Sequence, residues 1–231
     1  MKKSTLNRIL SLVLAMTMSL TLCIPAFAMP ISASMPTYEG TMKNIQGQMK
    51  EQDAMYLYPI LERIIRAEYE AGTRGTLLEK NSMTMAGTTG LKSAVYETWK
   101  LKSAYFDGTE DGDEFYFGRV GKADATGETV SVGETRQESI SILGTIGVQK
   151  RDIQAVLGFD YSKSVAVSVT KTSRPLNMNE IVESYVHFIY NRYSIIQIHT
   201  IRLDGKTFTY DVPATILRPQ PFAQVRFEYH Y

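Results

Sequence analysis

Beyond Gly72 the apolar residues of this 231-residue chain recur at every second position, a period that admits pleated strands and little else. Residues 224–231 put Val225, Phe227, Tyr229 and Tyr231 on one side and Gln224, Arg226, Glu228 and His230 on the other. Residues 138–149 set Ile140, Ile142, Ile146 and Val148 against Ser139, Ser141, Thr145 and Gln149. Residues 161–171 repeat the device, with Val165, Val167 and Val169 opposed to Ser164, Ala166, Ser168 and Thr170. Such segments each bury one face and wet the other, so they must share a dry interior.

Turn chemistry sets the register of the clearest pair. Asp204-Gly205 lies between two alternating runs and is the dipeptide that a two-residue hairpin favours. Pairing across it sets Ile201 opposite Phe208 and His199 opposite Tyr210. Upstream, residues 181–197 carry no Pro or Gly and are too long for an ordinary strand, which predicts a bend or bulge near Asn191-Arg192. Downstream, Arg218-Pro219-Gln220-Pro221 reads as a turn. Shorter strands are expected at 95–101 and 115–117 with the acidic stretch 107–114 as the turn between them. Residues 152–158 fit a helical turn with an Asp152 cap and a Gly158 stop.

Before Gly72 the period is different. Met42, Ile45 and Met49 have helical spacing. Pro59 then precedes Ile60, Leu61, Ile64, Ile65 and Glu68, with Ala71-Gly72 closing the run, the pattern of a second helix with Pro in its first turn. The expected fold is mainly β: an antiparallel sandwich-like or elongated meander domain over 73–231, preceded by a helical segment at 41–72 and a flexible tail at 29–40.

Residues 1–28 read as an export signal. Lys2, Lys3 and Arg8 make a positive start, residues 9–24 are apolar apart from hydroxyls, and Ala26-Phe27-Ala28 supplies small residues before Met29. The apolar run is shorter than the roughly 20 residues a spanning helix needs. Cleavage between Ala28 and Met29 removes three of the 25 cations and none of the 24 acids, turning the net charge of +1 slightly negative. It also removes Cys23, the single cysteine, so the mature chain has no disulfide, thiolate nucleophile or cysteine metal site. Nothing basic is left to attract nucleic acid in bulk. The expectation is a secreted, extracellular protein, with a cysteine-free mature chain that suits a Gram-positive bacterial exporter.

Few residues carry chemistry. The acidic stretch offers Asp107, Asp111 and Asp113 as weak calcium candidates, since Ca²⁺ takes oxygens at alternate positions around a glycine turn; Thr109 and Gly118 depart from that pattern where ligands belong. Ser168-Val169-Thr170-Lys171 matches the spacing of a serine–lysine nucleophile, but a strand sends positions i and i+3 to opposite faces. His187, His199 and His230 lack zinc-helix spacing and read as ordinary strand residues. No cofactor is implied. This near-empty inventory favours a non-enzymatic protein that binds a cell-envelope component or another protein.

The alternative is a membrane-perturbing protein, with a secreted hydrolase third. The two hydroxyl-rich segments holding Ile140, Ile142, Ile146 and Val148, and Val165, Val167 and Val169, are as long as a membrane-inserting strand requires. Over about 50 residues this texture resembles the insertion regions of pore-forming proteins of the aerolysin type, which implies membrane contact by a β-hairpin. If the leader is read correctly, N-terminal sequencing of the protein recovered from the medium will begin at Met29; a chain still carrying Lys2 and Lys3 would overturn the export reading.

Overall fold

The computed structural model describes residues 34–73 and 96–231. The leader and its Ala28–Met29 junction, most of the expected tail and the start of the expected β domain lie outside the described residues. From Met35 onward the chain forms one compact unit. Its elements are helix α1 (Tyr38–Gln48), helix α2 (Glu51–Thr73), strands β1 (Tyr96–Asp111), β2 (Phe115–Lys122), β3 (Ser131–Glu138) and β4 (Ser141–Gly144), helix α3 (Lys150–Leu157), and strands β5 (Val165–Thr172), β6 (Ile181–Leu203) and β7 (Lys206–His230). The protein is mainly β, with a seven-stranded, mostly antiparallel sheet and a helical segment N-terminal to it.

β6 and β7 form the spine. Asp204 and Gly205 both take positive φ, 48° and 76°, the conformation a two-residue mirror-image turn demands. Ile201 pairs with Phe208 and His199 with Tyr210, the register set by that turn. The expected turn at Arg218–Pro221 is not one: β7 continues through it. The only register shift of the pair falls between Phe188 and Tyr190, opposite Ala223 and Pro219, so the prolines sit where β7 bulges and the ladder is already interrupted. A proline has no N–H to offer the ladder, and a bulge is where that lack costs least. The break in regularity therefore lies on β7 rather than at Asn191-Arg192.

β1 pairs with β6 from Tyr96↔Arg202 to Asp111↔Ile189, and β2 continues along the same edge from Phe115↔Val186. The expected acidic turn is mostly strand, because β1 absorbs the misfit with shifts at Leu101/Ser103 and Phe106/Gly108, the latter at a glycine with φ of 113°. On the other edge β4 pairs with β7, and β5 meets β7 in parallel near Ser168↔Phe222, the one departure from antiparallel pairing. β3 pairs with β5.

Because β6 alternates without a bulge of its own, the parity of its buried residues reports which face is covered. Near the hairpin turn the odd residues His199, Ile201 and Leu203 are buried, at the far end the even residues Val182, Ser184, Val186 and Phe188 are, and between them residues 194–197 are buried on both faces. The two covers thus lie on opposite faces. α1 and α2 close the first, packing Met42, Ile45, Leu57, Leu61, Ile64 and Ile65 on Ile201, Leu203, Phe208, Tyr210 and Val212. β3 and β5 close the second, with Val167 and Val169 on Val182, Val186, Val225 and Phe227. That end is a small sandwich. A middle core joins Val148, Ile153 and Tyr161 to Ile195, Ala214 and Ile216.

The helical segment starts three residues before the expected position, since Thr37 is its cap and accepts a hydrogen bond from the Gly40 N–H at 3.1 Å. Pro59 does not open a helix but lies inside α2. It is exposed and leaves without a helical partner the carbonyl of Met55, itself a residue 86% exposed, where water can take it. α1 also covers the free edge of β7: Gln48 donates from Nε2 to the Thr209 carbonyl at 2.9 Å and accepts from the Thr209 N–H at 3.1 Å. Such a contact satisfies an edge that could otherwise template another strand.

Buried Gln197 anchors the loop after β4. It donates to the Thr145 carbonyl at 2.7 Å and accepts from the N–H groups of Gly147 and Val148 at 2.9 and 3.2 Å. The loop then lies flat on Trp99, so that a Cβ at Gly147 would fall 1.9 Å from indole carbon Cδ2. Replacing Gly147 with Ala must move loop or indole, and denaturant unfolding should show a loss of about 1–3 kcal/mol.

Candidate functional site

Covering one face of β2, β6 and β7 with β3 and β5 leaves the other face open. Alternation decides what stands there: Glu183, Tyr185 and His187 from β6, with Gln224, Arg226, Glu228 and His230 from β7. β2 adds Tyr116, which pairs with Tyr185 across the strands, and Glu114 lies just before it. Tyr116 is 54% exposed and meets Tyr185 edge to face at 5.5 Å.

Charge pairing holds this face in one arrangement. Arg226 is the hub: Nε and Nη2 each donate to Glu114 at 2.8 Å, Nη1 donates to Glu228 at 2.5 Å, and the guanidinium lies 4.5 Å from the centre of the Tyr185 ring. Glu183 and Glu228 are direct cross-strand neighbours, an unfavourable pairing of like charges. Arg226 relieves it from the Glu228 side, and His230 Nε2 lies 3.5 Å from Glu183 and 3.9 Å from Glu228. The Arg226 hydrogen bonds hold the carboxyls of Glu114 and Glu228 below their usual range. The Tyr185 and Tyr116 hydroxyls are pushed up, first by burial and then by Glu228 and Glu183 respectively.

Glu183, Glu228 and His230 bring three ligand-type atoms within 4.8 Å of one another. A divalent cation there would have to displace the Arg226 contact to Glu228. The face is a mosaic of aromatic planes and charged tips held by these contacts.

The other candidate residues fall elsewhere. Asp107 accepts from the Ser194 hydroxyl at 2.7 Å and lies 3.6 Å from Arg192, both contacts on β6, while Asp111 ends β1 and Asp113 follows it. These three aspartates are not among the described groups able to share a metal. The segment 138–149 is not one long strand: Ser141–Gly144 pairs with β7, Gly144 takes φ of 106°, and a loop leads into α3. β4 does not pair with β5; Glu138, the last residue of β3, does, opposite Val165. Val167 and Val169, with Val165 beside them, sit in the sandwich core, whereas Val148, Ile140, Ile142 and Ile146 belong to the middle core. Ser168 and Lys171 are on opposite faces of β5, and Lys171 donates to the Val225 carbonyl at 2.6 Å.

The three histidines stay apart, but His199 is no ordinary strand residue. Only 1% exposed, it lies under α2 beside Glu68, which is fully buried. A signal for this was present, since Glu68 stands on the same helical stripe as Leu57, Leu61, Ile64, Ile65 and Ala71. α3 begins at Lys150 with Gln149 at its cap, so Asp152 lies in the first turn, and Gly158 closes it with φ of 76°.

Compared with known protein families and with curated proteins, the chain matches none. Among the described residues no helix is long and apolar enough to cross a membrane.

The dependence of the open face on Arg226 is measurable. In Arg226→Ala the carboxyls of Glu114 and Glu228 should titrate at higher pH than in the parent, read by carbon NMR of the side chains. Because those pKa values are depressed in the fold, the stability they add is present above the ordinary carboxylate pKa and lost as pH falls through the folded values.

Proposed function

We propose that this protein is an exported, non-enzymatic binding protein whose ligand is a surface polymer of the cell envelope, gripped by the open face of β2, β6 and β7. The observation that carries the reading is the uncovered mosaic of Tyr116 and Tyr185 set among Arg226, Glu183, Glu228 and His187. Tyrosine rings offer flat apolar area with a polar rim, and the flanking charges offer hydrogen bonds to hydroxyl or ionic groups, a combination fitting a polyhydroxylated chain. Cross-strand pairing holds these side chains before any ligand arrives, which lowers the entropy lost on binding.

A pore-forming role draws support from strand length alone, since β6 and β7 run for 23 and 25 residues, well beyond a membrane crossing of about 9–11 residues. The β3–β5 pair argues against itself as the inserting hairpin. Glu134, Arg136 and Glu138 pair with Val169, Val167 and Val165, so the face that would meet lipid carries three charges. A single Arg at mid-bilayer costs about 2–4 kcal/mol.

Co-sedimentation with purified cell wall separates these readings. The protein should be retained, and Tyr116→Ala with Tyr185→Ala together should weaken retention about tenfold, roughly 1.4 kcal/mol. Tyr56→Ala, at the distant hairpin turn, should leave it unchanged. Loss of wall retention in none of these variants, or dye release from vesicles that Val167→Asp abolishes, would sink the binding reading in favour of the membrane one.

A further inference from the structure

A buried polar cluster lies between α2 and the hairpin. Glu68 of α2 brings Oε1 to 2.8 Å from His199 Nδ1, and Glu97 of β1 brings Oε2 to 3.5 Å from Nε2. Neither Glu68 oxygen nor His199 Nε2 has a well-aligned hydrogen bond, although all are buried from water. The Tyr210 hydroxyl lies 3.0 Å from Nδ1, and Trp99 stacks on the imidazole with ring centres 3.8 Å apart at 15°. Unaligned buried charges are costly, and here they hold together elements from distant parts of the chain.

We propose that Glu68, His199 and Glu97 form a proton-operated latch that holds α2 against the β6–β7 hairpin while the cluster keeps its shared proton and lets the helix loosen once that proton leaves. With the proton present, the Glu68–His199 pair is neutral as a unit in either arrangement of the proton. Without it, Glu68 becomes a buried carboxylate facing a neutral imidazole, its ion-pair partner among the described residues, with a second carboxylate, Glu97, near the same ring. Only withdrawal of α2 gives Glu68 water.

α2 also presents Tyr69, whose hydroxyl donates to the Asp211 carbonyl at 3.1 Å and is pushed up to about 12 by burial. β7 presents Tyr210, raised well above its ordinary value by burial and then by Glu68, so both phenols stay protonated throughout the relevant range. β1 contributes Glu97 and Trp99. β4 and the loop 145–148 contribute no ionisable side chain. Burial raises the Glu68 carboxyl despite the opposing pull of His199. Burial pulls the His199 imidazole down, but the two carboxylates outweigh it and leave it above 6.5.

Both groups are raised on folding, so the folded state holds protons more tightly than the unfolded chain. Their stabilisation is complete below the ordinary values and is lost as pH rises through the folded ones. Mild acid tightens the latch; mild alkali opens it. Opening would uncover Ile201, Leu203, Phe208 and Val212 of the hairpin, together with the Asp211 carbonyl that Tyr69 now meets.

The protein carries its own reporter, because Trp99 is the single tryptophan of the chain and a protonated imidazole quenches an indole stacked on it. Fluorescence of the purified protein should rise with pH in one step whose midpoint lies above 6.5. Amide protection factors over Glu51–Thr73 should fall through the same midpoint, roughly tenfold for each pH unit by which the folded value exceeds the unfolded one. Glu68→Gln should move the fluorescence step down in pH, and Glu97→Gln should move it less, in the same direction. His199→Gln should abolish the step and flatten the pH dependence of α2 protection. Protection over α2 that stays constant through the fluorescence step, or a step unmoved by either carboxylate variant, would overturn the latch.

Discussion

A ladder of backbone hydrogen bonds joins β6 to β7 from the Asp204-Gly205 turn to His230, broken once where Pro219 and Pro221 stand. Every other element takes its place from the stretch of ladder it meets. β1 and β2 extend it along β6, β4 and β5 along β7, and the helices lie over the turn end. The ladder is strong because its register is doubly specified. The turn allows one pairing, and a slip by a single residue would carry Ile201, Leu203 and Phe208 to the wrong face.

A hairpin this long cannot be covered by one small layer, and the molecule uses two on opposite faces. Helices bury the odd residues of β6 near the turn, and β3 with β5 bury the even residues at the far end. Toward the middle of β6 both faces are covered, Ser194 and Ile196 being buried as well as Ile195 and Gln197, but the far end keeps one face open. At the far end that exposed face carries the Tyr116, Tyr185 and Arg226 mosaic, so the proposed binding surface is a by-product of how the sandwich is closed.

The two covers differ in what holds them. The sandwich end packs apolar residues and buries one carboxylate at its rim, Glu180, which Arg174 meets through hydrogen bonds at 3.0 and 2.5 Å. The helical cover adds ionic contacts near both ends of α2. Buried Asp53 pairs with Lys206 just after the hairpin turn, and Glu68 meets His199 about four turns further on. Both covers thus bury a carboxylate, but the helical one sets it against a buried histidine, the contact on which the proposed latch rests.

Much of this was legible in the residues themselves. Alternation marked β1, β2, β5, β6 and β7 but missed β3 and ran the short β4 into one strand over 138–149. Asp204-Gly205 identified the hairpin and its register, and the expected dry and wet faces of 224–231 hold as far as His230, whereas Tyr231 is 84% exposed. These are local properties, set by side-chain period and by the few dipeptides that tolerate positive φ. Local signals misled at Pro219 and Pro221, read as a turn, at Pro59, read as a helix start, and at residues 107–114, read as a loop. In each case a long partner strand or an apolar helix face outweighed the local preference. What tertiary structure alone decided was pairing between distant segments: β4 joins β7 and not β5, the helices lie on one face and β3–β5 on the other, and Glu68 comes to His199. Those choices depend on which surfaces exclude water together, a property of the assembled chain that no short run of residues contains.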